Sequence, residues 1–184
     1  MRICLVGPRG AGKSRAARRL SVLLRRPVIS TDVLVSYECG GRPVADIIRQ
    51  KGGGVAAWRF FRQKEFEILK KISALENVIV DCGGGVVVDL DRRGAERYSA
   101  RKARLLRTGA VVVFLRAEPA RLESRVAADS CRPALGDGQT ERDIMRRRAP
   151  FYVRVAHVAV DTDELGAKNL AHRILHKIED RLKD

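Results

Sequence analysis

The segment Gly7-Pro8-Arg9-Gly10-Ala11-Gly12-Lys13-Ser14 limits what this chain can fold into more than any other. It fits the pattern G-x-x-x-x-G-K-[ST], follows an apolar run over 2–6, and opens a stretch of helical periodicity from Lys13 to Leu24. Glycines at 7, 10 and 12 let the backbone wrap closely round a phosphate with its N–H groups turned inward. The start of the helix adds the positive end of its dipole to the same anion site. Lys13 can reach the β- and γ-phosphates of a nucleoside triphosphate, and the Ser14 hydroxyl suits a Mg²⁺ ion. Gly7, Gly10, Ala11, Gly12, Lys13 and Ser14 are therefore the expected ATP-binding residues, with Ser14 also a metal candidate.

Strand-like and helix-like segments alternate along the remainder. Strands are expected near 2–6, 28–29, 78–80, 111–115 and 158–160. Two short helices separated by Gly40-Gly41 are expected over 32–50, capped by Thr31 or Asp32. A long amphipathic helix is expected over about 56–75, a further one past Pro119, one opened by the Thr140 and Asp143 pair, and a last one over 165–182. This alternation implies an α/β fold, a three-layer α/β/α sandwich around a five-stranded parallel sheet. With 184 residues and no linker or repeat, the chain reads as one domain, 1–184.

Composition narrows the function classes. Lys and Arg number 37 against 22 Asp and Glu, a formal net charge of +15, and 28 of the bases are Arg. That balance suits a nucleic-acid surface, a site for a polyanionic small molecule, or a solvated basic exterior. Aromatic residues are only 5% and do not alternate with the bases, which counts against a stacking platform for nucleic acid. The run 92–107 holds seven bases and one acid, Glu96, and reads as a solvated face. No apolar run reaches transmembrane length, and the N-terminus has no signal-peptide pattern, so a cytoplasmic protein without membrane contact is expected. Cys4, Cys39, Cys82 and Cys131 form no C-x-x-C pair, and His172 and His176 lack further ligands.

No guanine-reading N-K-x-D segment is present. Instead, in order, come Asp32 after the second strand, Phe61-Arg62-Gln63-Lys64-Glu65, Gly83-Gly84-Gly85, Arg132-Pro133 and Arg148-Ala149-Pro150-Phe151-Tyr152. This order, over nearly the whole chain, resembles the shikimate kinase family among the P-loop kinases. The resemblance implies transfer of the ATP γ-phosphate to the 3-hydroxyl of shikimate, in the biosynthesis of chorismate and the aromatic amino acids. It implies a substrate-binding helical segment over about 32–62 and a mobile lid over about 129–139. Asp32 matches the aspartate that contacts the reacting hydroxyl. Arg62 and Arg148 match the arginines that bind the carboxylate, and Glu65, one turn on, would fix Arg62. Gly83, Gly84 and Gly85 would approach the substrate through their backbone. Arg132 matches the lid arginine that offsets charge on the transferring phosphate, and Arg125 a residue packed on the adenine. Lys13, Asp32 and Arg132 are the expected catalytic residues. ATP, shikimate and Mg²⁺ are the implied partners of a monomeric enzyme.

The sequence departs from the family in one position that matters. Asp-x-Asp is usual after the second strand, with the first Asp near Mg²⁺ through water; here the segment is Ser30-Thr31-Asp32. Asp81, just before the glycine triplet, is the candidate carboxylate in its place. Two other readings stand beside the first. One is a P-loop kinase for another small acceptor, such as gluconate or a nucleoside monophosphate. The other is a catalytically impaired homologue that binds nucleotide or nucleic acid.

Overall fold

The structure, a computed structural model, describes residues 1–118, 122, 140–162 and 167–183. Along the chain come β1 (Arg2–Val6), α1 (Lys13–Leu24), β2 (Val28–Ser30), α2 (Thr31–Glu38) and α3 (Val44–Gln50). Then follow α4 (Gly54–Ser73), β3 (Ile79–Asp81), β4 (Val88–Leu90), β5 (Glu96–Tyr98), α5 (Ala100–Arg107) and β6 (Ala110–Arg116). The chain continues through α6 (Glu141–Val155), β7 (Val158–Asp161) and α7 (Ala167–Lys183). The expected helix past Pro119, the segment 129–139, Arg125, Cys131 and Arg132 lie outside the described residues; Leu122 is buried.

Five parallel strands form one sheet in the order β2-β3-β1-β6-β7. β1 lies in the middle and is buried along its whole length, as a parallel strand covered on both faces must be. Its side chains alternate between two cores. Cys4 and Val6 join Phe61, Ile68 and Ile72 of α4, Leu106 of α5 and Tyr152 of α6. Ile3 and Leu5 join Ala16, Ala17 and Leu20 of α1 with Leu170, Ile174 and Ile178 of α7. The three expected layers follow directly from this period of two.

Strand ends decide where chemistry can occur. Leu5 and Ser30 are both register partners of Asp81, so β1, β2 and β3 finish at one edge of the sheet. The segments leaving those three strands therefore emerge side by side, at the edge where open α/β sheets bind ligands. Gly7 turns the chain out of β1 at a φ of 147°. A Cβ there would stand 2.6 Å from the Leu115 carbonyl oxygen of β6, so β1 and β6 can approach this closely only with glycine.

Three local expectations need correction. The N-cap of α2 is neither Thr31 nor Asp32 but Ser30, whose hydroxyl accepts from the Val33 N–H. Thr31 is instead inside the helix and fully buried. α4 begins at Gly54 and ends at Ser73, earlier at both ends than its periodicity suggested. Its last turn tightens into i→i−3 bonds, from Ala74 to Lys71 and from Leu75 to Ile72. Finally, 92–107 is not simply a solvated face. It holds β5, which pairs antiparallel with β4, and α5, whose Lys102 is fully buried.

Arg2 is the buried tie between the sheet and two helices. Its guanidinium donates to the carbonyls of Ser73 (2.5 Å) and Leu75 (2.8 Å) at the end of α4, and to Thr108 just past α5. These are among the carbonyls that a helix leaves without an internal partner. Replacing Arg2 by Leu strands them in the interior. Stability in urea should fall by about 2–4 kcal/mol, seen as a lower midpoint at an unchanged m-value; an unchanged midpoint would refute the tie.

Candidate active site

The loop after β1 wraps as its glycines require, with Gly10 and Gly12 at φ of 74° and 86° and Ala11 fully buried. Lys13 points back into that loop. Its ammonium donates to the carbonyls of Gly7 (2.9 Å) and Pro8 (2.8 Å). Ser14, next along α1, is exposed. The anion cradle and its lysine thus sit at the carboxyl edge of the central strand, where the pattern puts them.

The second half of the site is built on the three glycines that follow β3. Each one is met by a different element. The Gly83 N–H donates to Thr31 Oγ1 at 2.8 Å, which ties the loop to the first turn of α2. Asp32 then lies so close that a Cβ on Gly83 would overlap its Oδ1. Gly84 packs on the phosphate loop, its Cβ position 3.5 Å from Arg9 Cγ. A Cβ on Gly85 would overlap the Arg62 guanidinium. The absence of side chains at 83 and 85 is therefore a packing requirement, set by one acid and one base.

Arg62 leaves α4 buried, 4% exposed, and donates through Nη1 to Glu65 Oε2 (2.7 Å) and to the Gly85 carbonyl (3.3 Å). Its Nε is buried with no hydrogen-bond acceptor among the described residues. Glu65 also accepts from the buried Lys102 ammonium of α5 at 3.1 Å. Lys102 donates further to the Val88 carbonyl and lies 3.4 Å from Asp89 Oδ1. Asp89 in turn is held by Ser99 and by two nitrogens of Arg101. Burial pushes Glu65 toward the neutral form, but Arg62 and Lys102 together hold its carboxyl below the ordinary glutamate value. Burial also pulls Lys102 below the ordinary lysine value, against the pull of Glu65.

Arg148 approaches the same loop from α6. It is 4% exposed, and its Nη1 donates to the Gly84 carbonyl at 3.3 Å. Its Nε and Nη2 grip both oxygens of Glu96, with Nε 3.0 Å from Oε2. Arg147 adds a bond of its own to Glu96 Oε2. Burial raises the Glu96 carboxyl, yet the bonds and charges of Arg148 and Arg147 bring it below its ordinary value. The Tyr152 hydroxyl donates to the Gly84 carbonyl as well, and burial pushes it up to about 12.

Asp32, Arg62, Gly83, Gly84, Gly85 and Arg148, expected to act together, are thus brought to one loop, and Arg9 joins that loop to the phosphate cradle. Asp81 ends β3 immediately before it, partly exposed and in register with Ser30. Sequence reasoning missed Arg9, Asp89, Glu96 and Lys102 as parts of this site. One signal for Glu96 was on view, a single acid inside a run of seven bases. Lys102 carried no such signal, since its burial depends on packing between α4 and α5.

Comparison with known proteins decides the family. A family model for shikimate kinase matches residues 9–179. The shikimate kinase of Leptospira borgpetersenii is 40% identical over 175 residues, spanning 95% of this chain and 96% of that protein. The chain belongs to the shikimate kinase family. Among solved structures, the shikimate kinase from Acinetobacter baumannii in complex with shikimate is 29% identical, with a TM-score of 0.80 over 98% of this chain and 93% of that one. The shikimate kinase from Aquifex aeolicus is 25% identical, with a TM-score of 0.72 over 99% and 98% of the two chains. This family member has, among its described residues, no helix long and apolar enough to cross a membrane.

A carboxylate with a lowered pKa stabilises the fold above its unfolded value and loses that contribution as the pH falls through the folded one. For Glu65 the contribution is present above about 4.5, its ordinary value. Glu65→Gln leaves the buried Arg62 without its carboxylate partner and Lys102 with Asp89 alone, and should cost about 3–5 kcal/mol at pH 7. The gap to the parent should begin to narrow below the ordinary glutamate value and close only as the pH falls through the lower value of the folded carboxyl, where the native parent is protonated too. Urea midpoints at pH 7, 5, 4 and 3 check this, and a gap constant with pH would refute it.

Proposed function

We propose that this chain transfers the γ-phosphate of ATP to the 3-hydroxyl of shikimate. The observation that carries the reading is the glycine loop at 83–85, which has Asp32 at one end, two buried guanidinium groups along its carbonyls, and the phosphate cradle against its middle. An acceptor lying on that loop would place a carboxylate at Arg62 and Arg148 and a hydroxyl at Asp32. Guanidinium forks match planar oxyanions, and burial strengthens the match by excluding competing water. Glycine at 83 and 85 lets Asp32 and Arg62 come this close to the loop, where any side chain would push them away.

In the mechanism, the residues position more than they react. Asp32 orients the attacking hydroxyl and accepts its proton as the new O–P bond forms and the bond from the γ-phosphorus to the β–γ bridging oxygen breaks, with ADP leaving. Lys13 transfers its hydrogen bonds from the loop carbonyls to the β- and γ-phosphates and offsets charge there. The start of α1 supports the same anion through its dipole. From the resemblance, Arg132 would close over the phosphates and Arg125 would pack on the adenine. The expectations of a cytoplasmic monomer belong to the same reading.

Mg²⁺ belongs to it too, and when bound with the nucleotide it would supply Lewis-acid stabilisation of the phosphate charge. No group of three or more His, Cys, Asp or Glu able to hold a metal occurs among the described residues. The exposed Ser14 hydroxyl and the partly exposed Asp81 carboxylate are hard oxygen donors of the kind Mg²⁺ takes beside a nucleotide. Ser14 and Asp81 are the residues that would hold it, with Asp81 supplying the carboxylate that Ser30 does not.

A coupled assay with ATP, Mg²⁺ and shikimate tests the reading. ADP release should depend on shikimate and should be weak with gluconate or nucleoside monophosphates. Asp32→Asn should lower kcat by about 10²–10⁴, while Arg62→Lys should raise the shikimate KM about tenfold or more because the fork is lost. No turnover by folded protein, with salt-steep RNA binding in its place, would overturn it. Separately, Asp81→Ala should raise the Mg²⁺ concentration needed for half-maximal rate several-fold. An unchanged Mg²⁺ profile would remove Asp81 from the metal site.

A further inference from the structure

The β4–β5 hairpin delivers a carboxylate to the acceptor site that the family motif does not contain. Glu96 lies on β5, in register with Leu90 of β4, and its two oxygens take Nε and Nη2 of Arg148 along one side of the guanidinium. A guanidinium carries five N–H donors. Glu96 takes one from Nε and one from Nη2, and the Gly84 carbonyl takes one from Nη1. Among the described residues this leaves one N–H on each of the two terminal nitrogens of Arg148. Those are the donors that a second carboxylate could engage end-on.

We propose that Glu96 is a positioning and specificity-determining residue, which clamps Arg148 from the side so that its outer N–H pair faces the carboxylate of the acceptor. The inference rests on the acceptor reading given above and extends it to a residue outside the motif. The arrangement repeats at the other arginine, where Glu65 holds Arg62 from its own helix. Both anchors converge on the hairpin. Asp89 of β4 lies against Lys102, which bonds Glu65, while Glu96 of β5 grips Arg148 directly. Arg147 donates to Glu96 Oε2 as well, so the carboxylate is anchored by two neighbouring residues of α6. A bound carboxylate would take the two remaining N–H donors of Arg148, and an acceptor without one leaves them unmet.

The geometry also separates clamp from competitor. If the Glu96 carboxylate merely occupied the substrate's place, its removal would tighten acceptor binding. A clamp gives the opposite sign. Glu96→Gln keeps the side-chain shape and should raise the shikimate KM about tenfold, with the ATP KM changed less than twofold. A second acceptor separates positioning from general damage, namely the shikimate analogue whose carboxylate is reduced to a primary alcohol. The parent should prefer shikimate over this analogue, and Glu96→Gln should shrink that preference about tenfold by losing shikimate alone. Glu96→Asp, which keeps the charge at shorter reach, should fall between the two. The inference is overturned if the shikimate KM is unchanged or lower in Glu96→Gln, or if both acceptors weaken alike. Parent protein that turns over no shikimate at all would instead sink the acceptor reading, so the two failures are distinguishable.

Discussion

Everything at the carboxyl edge of the sheet depends on a loop that has no side chains of its own. Where the 83–85 backbone passes, an aspartate, a phosphate-loop arginine and a buried guanidinium all occupy volume that a Cβ would need or touch. The loop can therefore serve as a shared floor, donating an N–H to Thr31 on one side and lending carbonyls to Arg62, Arg148 and Tyr152 on the other. Two cations can be held this near one another in the interior only because each brings a carboxylate partner. Charge, not apolar packing, sets the shape of this pocket, while the two cores above and below the sheet hold its floor still.

Much of this was legible in one dimension. The order of strands and helices could be read because periods of two and 3.6 are written into residues such as Ile3, Leu5, Ala16 and Leu20. The phosphate cradle could be read because its residue types have almost no alternative use in that spacing. Asp32, Arg62, Gly83, Gly84, Gly85 and Arg148 were found through a resemblance of ordered motifs, not through physics alone. Nothing local makes Arg62 more buried than Arg59 beside it; the partner that retains it sits on α4, and that partner's second cation sits on α5.

Two of the failures share a cause. Residues 92–107 were read as a charge run, and the hairpin of β4 and β5 was not foreseen. Its strands are three residues each, too short for alternation to register. Lys102 looked like one solvated base among seven, but tertiary placement turned it inward against Glu65 and Asp89. The N-cap of α2 was misassigned for a different reason. Ser30, Thr31 and Asp32 are all good capping residues, so composition alone could not choose among them.

That choice bears on how the family position at residue 30 can vary. Serine and aspartate are near equals at a helix N-cap, since either side chain offers an oxygen to the free N–H groups of the first turn. The helix that carries Asp32 is therefore held by the geometry of residue 30 and is indifferent to its ionisation. Architecture and electrostatics are separable at this residue. A lineage can drop the negative charge at this spot, or regain it, by a single exchange that leaves the scaffold of the pocket intact.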